Sequence, residues 1–120
     1  MHSEELLKLA QDSLDDLKAR EVRVLDVRKL TTVADYLVIA SGTSDRHVSS
    51  LAGSVIDAAK QSGQRPLGVE GLQAGEWVLI DLADVIVHVM QPRVREFYKL
   101  EDLWSMSAGS PPDQAESGSN

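Results

Sequence analysis

Leu7, Ala10, Leu14 and Leu17 recur at the spacing of one stripe of a helix. Ser3 stands where an N-cap would, and Glu4 and Glu5 follow it, where carboxylates meet the positive end of a helix dipole. The pattern therefore predicts an amphipathic helix over 3–19. Residues 20–27 read as a short strand and 29–34 as a connection carrying Thr31 and Thr32. Residues 36–40 form an unbroken apolar run, the signature of a strand covered on both faces.

Ser41-Gly42-Thr43-Ser44 interrupts that strand, and a hydroxyl of Thr43 or Ser44 can cap a second helix. Its apolar face would be Val48, Leu51, Ala52, Val55, Ile56 and Ala59, and Gly63 would end it. A short strand is expected near 66–70, then a loop bounded by Gly71 and Gly75, then strands over 76–82 and 85–90. Only Ala83 and Asp84 separate that pair, which implies a tight hairpin. Pro92 suits the first position of a short helix over 92–98, and 100–104 reads as one further turn packed back on the body. This order predicts a single α/β (α+β) domain over 1–104, a mixed sheet of about five strands flanked by helices. Residues 105–120 are rich in Ser, Gly and Pro without apolar periodicity, the composition of a disordered tail.

Composition narrows the chemistry. A chain of 120 residues, 42% hydrophobic, has room for one core. At 4% aromatic content that core must be built from Val, Leu, Ile and Ala, so each aromatic ring is worth placing individually. The absence of cysteine excludes disulfides, thiolate metal sites and cysteine nucleophiles, and fits a reducing, cytoplasmic compartment. No signal-peptide pattern and no apolar run of about 20 residues is present, so no membrane association is expected. A net charge of -7 argues against a surface that tracks a phosphate backbone, so little direct nucleic-acid binding is expected; taken alone it fits a charge carried for solubility, and where it serves binding a basic protein is the more natural partner.

The strand–glycine–helix junction at 41–47 is the place where backbone amides can cradle a phosphate. It is neither a Walker loop nor a dinucleotide fingerprint, and Asp45 would repel an anion there. A nucleotide-binding or nucleotidyl-transfer enzyme using this turn with Asp35, Asp45 or Asp84 is the alternative reading. His47 and His88 lack metal-ligand spacing, and His88, inside an apolar strand, reads as a hydrogen-bonded structural imidazole. Asp81 and Asp84 flank the hairpin as turn carboxylates or as an acidic patch. Alternation puts Trp77, Leu79 and Asp81 on one strand face, which the charge marks as partly exposed, and Val78, Ile80 and Leu82 on the other. Trp77 is thus a candidate interface anchor, with core packing against the C-terminal turn as the alternative. Phe97 and Tyr98, adjacent on a short helix, should point to different sides, one into the core and one out.

Asp35-Tyr36, Ile39 through Val48, Gly68-Val69-Glu70-Gly71, Glu76-Trp77 through Val89, Arg95-Glu96-Phe97-Tyr98 and Leu100 through Trp104 together resemble the Iojap-like ribosomal silencing factors. The resemblance implies a fold similar to nucleotidyltransferases without their catalytic carboxylate pair, and a protein that is not an enzyme and needs no cofactor or metal. It implies binding of a large-subunit ribosomal protein on the intersubunit face, steric exclusion of the small subunit, and repression of translation under nutrient limitation. The residues expected to meet that partner are Trp77 and Tyr98, with Glu70, Asp81 and Asp84 as acidic contacts and Leu100 as an apolar neighbour. A homodimer through an edge strand is compatible with this reading.

Overall fold

The structure, a computed structural model, describes residues 2–99. The expectations for Leu100, Trp104 and the tail from 105 onward lie outside the described residues.

Helix α1 spans Ser3–Asp16. Its N-cap is His2 rather than Ser3: the Glu5 carboxylate accepts the His2 backbone N–H at 2.9 Å, which makes Ser3 the first helical residue. The helix also stops three residues short of the predicted 19. Lys18 adopts φ +64, and the Lys18 and Ala19 amides donate back to the carbonyls of Asp15 and Leu14. That is a Schellman closure with lysine in the position usually held by glycine. Helix α2, Asp45–Gln61, ends in the same closure with Gly63 at φ +92, and the Gly63 and Gln64 amides donate to Lys60 and Ala59. One end was therefore readable and the other not, because glycine announces the motif and lysine does not. Since a left-handed φ costs an L-residue about 1–2 kcal/mol and glycine gives back part of that as backbone entropy, Lys18→Gly is expected to stabilise the protein by about 0.5–1 kcal/mol. Urea denaturation should show this as a higher midpoint at unchanged slope.

The strands are β1 (Arg20–Asp26), β2 (Tyr36–Ser41), β3 (Gly68–Glu70), β4 (Trp77–Asp81) and β5 (Val85–Met90). They form one five-stranded mixed sheet in the order β1-β2-β5-β4-β3. Only β2 and β5 pair in parallel; the other three pairings are antiparallel. Helix α2 thus carries the chain from β2 to the far edge at β3, and the β4–β5 hairpin fills the gap between them. In that hairpin Leu82 donates its N–H to Val85, Ala83 takes φ +74, and the Asp81 side chain accepts the Ala83 N–H at 2.9 Å. At the opposite edge, Glu21 at φ +49 marks a register shift between Arg20 and Arg23. A bulged, charged β1 and a three-residue β3 both discourage addition of a foreign strand.

The sheet's two faces are covered differently. On one, Val38, Ala40, Val78, Ile80, Val85, Val87 and Val89 meet Leu6, Ala10 and Leu14 of α1 and the whole predicted apolar face of α2. On the other, Leu37, Ile39, Met90 and Val27 pack with Val94 of the short helix α3 (Pro92–Tyr98), and Leu25, Trp77 and Ile86 border them half-buried. Strand β2 is buried on both sides, as its apolar run implies. Among the described residues no helix is long and apolar enough to cross a membrane.

Candidate functional site

The face packed by α3 carries the residues that the sequence marks for partner contact. Pro92 starts α3, and the junction before it is tied down twice: the Gln91 amide donates to Glu76 and its side chain to the Gly75 carbonyl. These bonds bring α3 alongside the start of β4. Tyr98 then lies over Trp77 with ring centroids 4.9 Å apart, and Phe97 meets Tyr98 edge-on at the same separation. Trp77, Tyr98, Phe97, Val94, Glu76 and Arg93 line a cleft of about 490 Å³. A 3.9 Å ion pair between Arg93 and Glu76 bridges two of these lining residues, and its exposure makes it a weak tie.

The division of labour between Phe97 and Tyr98 differs from the expectation. Neither ring enters the core: Phe97 is 77% exposed and Tyr98 56%. The α3 side chains that turn inward are Val94 and Arg95, and Arg95 donates to the Ser41 hydroxyl at 2.9 Å. A seven-residue helix presents roughly two inward positions, and Val94-Arg95 holds them.

Trp77 is fixed by its neighbour. The indole N–H donates to His88 Nδ1 at 2.9 Å, the two residues lying on adjacent strands of the same face. His88 is thus a buried, hydrogen-bonded imidazole, as its place in an apolar strand suggests, and burial pushes it down to about 4 from 6.5. The neutral form carries its proton on Nε2 and leaves Nδ1 to accept. The pH dependence follows from the depressed value. Above about 6.5 both folded and unfolded states hold His88 neutral; as pH falls from 6.5 to 4 the unfolded chain takes up a proton that the folded chain refuses. Stability on the order of 3 kcal/mol should drain away over that window and no more below it. Denaturation at pH 7 and pH 4.5 should show a smaller acid loss in His88→Gln than in the wild type; equal losses would refute the assignment.

The acidic candidates divide. Register places Glu70 opposite Leu79, so Glu70, Trp77, Leu79 and Asp81 share the α3 face. Leu79, Asp81 and Ile86 are half-buried there and Glu70 is exposed, so an apolar strip with acidic flanks extends from the aromatic cleft. Asp84 sits apart, in the turn at the other end of β4, roughly 13 Å from Trp77 at ~3.3 Å per residue. Its carbonyl accepts the amides of Asp35 and Tyr36. The structure brings Trp77 and Tyr98 into contact, adds Glu70 and Asp81 on the same face, and leaves Asp84 at the rim. Leu100 lies outside the described residues. Phe97, which the sequence left undecided against Tyr98, joins the cleft; the polar residues flanking this aromatic pair are the signal that both rings face solvent.

The glycine turn at 41–47 is built for a different purpose. Several of its amides are engaged within the chain: Gly42 donates to Met90, Thr43 to His47 Nδ1 at 2.9 Å, Arg46 to Asp45, His47 to the Ser44 hydroxyl at 3.0 Å, and Val48 to the Ser44 carbonyl. His47 Nε2, the protonated nitrogen of this tautomer, meets the Leu17 carbonyl at 2.8 Å and ties the turn to the end of α1. A cradle most of whose donors are already used is a poor phosphate site. The carboxylates do not converge either. Asp35 and Asp84 adjoin the starts of β2 and β5, while Asp45 lies beyond the end of the six-residue β2, about 20 Å away at ~3.3 Å per residue.

The sequence matches the family profile described as ribosomal silencing factor during starvation over residues 1–119. A Chromobacterium violaceum protein named ribosomal silencing factor RsfS is 44% identical over 104 residues, 87% of this chain and 85% of its own. A mouse protein named mitochondrial assembly of ribosomal large subunit protein 1 is 34% identical over 91 residues, 73% of this chain and 40% of its own. The crystal structure of a protein from Chromobacterium violaceum superposes with a TM-score of 0.86 at 44% identity, covering 88% of each chain.

Proposed function

The chain belongs to the ribosomal silencing factor family, and from that premise we propose that it represses translation by binding a large-subunit ribosomal protein on the intersubunit face, where its bulk keeps the small subunit from joining. The observation that supports this reading most is the cleft of Trp77, Tyr98 and Phe97, two of whose rings stand open to solvent beside the half-buried strip of Leu79 and Ile86. Solvent-facing aromatics beside apolar surface are the material of binding hot spots, since they exchange water for a partner at small cost in side-chain freedom. Glu70 and Asp81 on that face, and a net charge of -7 on the whole chain, suit a basic ribosomal protein and would speed and orient the encounter.

Nothing in this mechanism calls for a reaction. The work is steric, so no cofactor or metal takes part, and the protein acts where ribosomes are, in the cytoplasm. Nutrient limitation is the condition under which such a brake serves the cell. Residues 1–104 would carry the activity.

The deciding experiment is co-sedimentation of the purified chain with isolated large and small subunits, run beside a subunit-joining assay. Binding to large subunits alone, with joining suppressed in proportion to occupancy, is the expected result. A folded chain that binds neither subunit, or binds without affecting joining, would overturn the proposal.

A further inference from the structure

A second concavity exceeds the aromatic cleft in volume. It lies on the other flank of α3, where about 640 Å³ is enclosed by the bulged start of β1 and by α3, with Glu21, Val22 and Arg23 on one wall and Arg95, Glu96 and Lys99 on the other. Among the described residues three cations stand against two carboxylates in its lining, a basic bias in a protein that is acidic overall, with Arg95 also donating to Ser41. Lys99 and Glu96 pair at 3.7 Å with both side chains largely exposed. Val22 adds apolar surface to the wall, and Leu25, two residues beyond Arg23 along β1, is half-buried against the cluster that Val94 joins.

The chain leaves α3 at this pocket. Lys99, which lines it, caps the helix with φ 49 and ψ 46, a left-handed residue that turns the backbone out of the helical path. The five residues that follow are Leu100, Glu101, Asp102, Leu103 and Trp104: two carboxylates between apolar side chains. Five residues span up to roughly 16 Å at ~3.3 Å per residue, enough to cross a pocket that begins at their own first neighbour. The charges are complementary, and the tether makes the effective concentration high, near the millimolar range for a short linker.

We propose that this pocket is the receptor for residues 100–104 of the same chain, with Glu101 and Asp102 set against Arg23, Arg95 and Lys99 and the apolar side chains covering Val22 and Leu25. The consequence is an intramolecular strap. Helix α3 turns only Val94 and Arg95 inward, and the residues facing the pocket, Arg95, Glu96 and Lys99, alternate with the aromatic pair of the cleft. Occupying the pocket therefore holds the element that presents Phe97 and Tyr98. The inference stands on the pocket, the exit of the chain and the charges, and is independent of which partner the cleft binds.

The chain has two tryptophans, Trp77 and Trp104, and no cysteine, which makes a direct test simple. In nitrogen-15-labelled full-length protein, the two indole signals are told apart with Trp104→Phe. A nitroxide is then placed on Glu21→Cys at the pocket, or on Asp57→Cys of α2 as a control across the sheet. The Trp104 signal should lose most of its intensity with the first label and little with the second, and should recover severalfold in the Glu101→Gln/Asp102→Asn variant. Equal effects from both labels, or undiminished broadening in that variant, would overturn the proposal. So would broadening carried from labelled unenriched chain to unlabelled enriched chain, because a second copy would then be the occupant. Since the label itself could displace the strap, the unlabelled protein is also titrated with a soluble gadolinium chelate. Protection of the Trp104 indole that disappears in the Glu101→Gln/Asp102→Asn variant supports docking, and an unprotected indole in the wild type refutes it.

Discussion

Tyr98→Ala should weaken binding to the large ribosomal subunit by about 2 kcal/mol, roughly thirty-fold, while leaving thermal stability almost unchanged. The two effects separate because Tyr98 is 56% exposed and contributes nothing to the buried clusters, yet its ring lies 4.9 Å from Trp77 and forms the outer half of the cleft. Phe97→Ala removes a ring that is 77% exposed and should add to the loss non-additively, since the two rings touch. Trp77→Ala is a less clean probe. It also deprives His88 Nδ1 of its donor and removes part of the second core cluster, so any lost binding would be mixed with lost stability. Co-sedimentation over a series of Tyr98→Ala concentrations, with melting curves on the same samples, decides the matter. Undiminished affinity in a folded variant would move the partner site off this face.

The second large effect is on folding. Gly71→Ala should destabilise the protein by about 2–4 kcal/mol, because two penalties coincide. Gly71 has φ +85, and a Cβ added to it would lie 2.1 Å from the Trp77 carbonyl oxygen. A flexible side chain could move aside, but here the obstacle is backbone at the first residue of β4. The loop would have to lift, taking Trp77 with it, so subunit binding should fall together with stability. Gly53→Ala is the matched control. Gly53 lies inside α2 with nothing within 4 Å of its missing Cβ, and alanine there should stabilise by about 1 kcal/mol. Urea denaturation of both variants should give midpoints displaced in opposite directions. A Gly71→Ala protein as stable as the wild type would show that the loop can relax around a methyl group.

Much of the architecture is legible in one dimension because it rests on local periodicity. The apolar face of α2 is buried residue for residue as its spacing predicts, and the alternation over β4 separates buried Val78 and Ile80 from half-buried Trp77 and Leu79. The two-residue hairpin at Ala83-Asp84 and the doubly covered β2 follow from the same kind of signal. Strand and helix limits drift by one to three residues where the cue is a substituted one. Lys18 stands in a glycine position, the N-cap falls on His2, and β3 keeps only Gly68–Glu70 of the expected 66–70.

The proposed partner face was legible only in part. Trp77 and Asp81 share a side by the period of two, which needs no knowledge of neighbours. That Glu70 joins them depends on the register of β3 against β4, and that Tyr98 lies on Trp77 depends on α3 folding back over the sheet. The hydrogen bond from Trp77 to His88, the inward turn of Arg95 and the outward turn of both Phe97 and Tyr98 have the same origin.

By itself, then, the sequence determined which segments are helix or strand, which side of each is apolar, that the chain makes one domain, and which family it joins. Those properties follow from residue spacing and from ordered motifs carried along the chain. Tertiary structure decided the strand order that inserts β4–β5 between β2 and β3, the engagement of the glycine turn's amides within the chain, and the meeting of Trp77, Tyr98 and Phe97 in one cleft. Each of these joins residues distant along the chain through hydrogen-bond register and packing, and no local pattern encodes which distant partner a side chain will find.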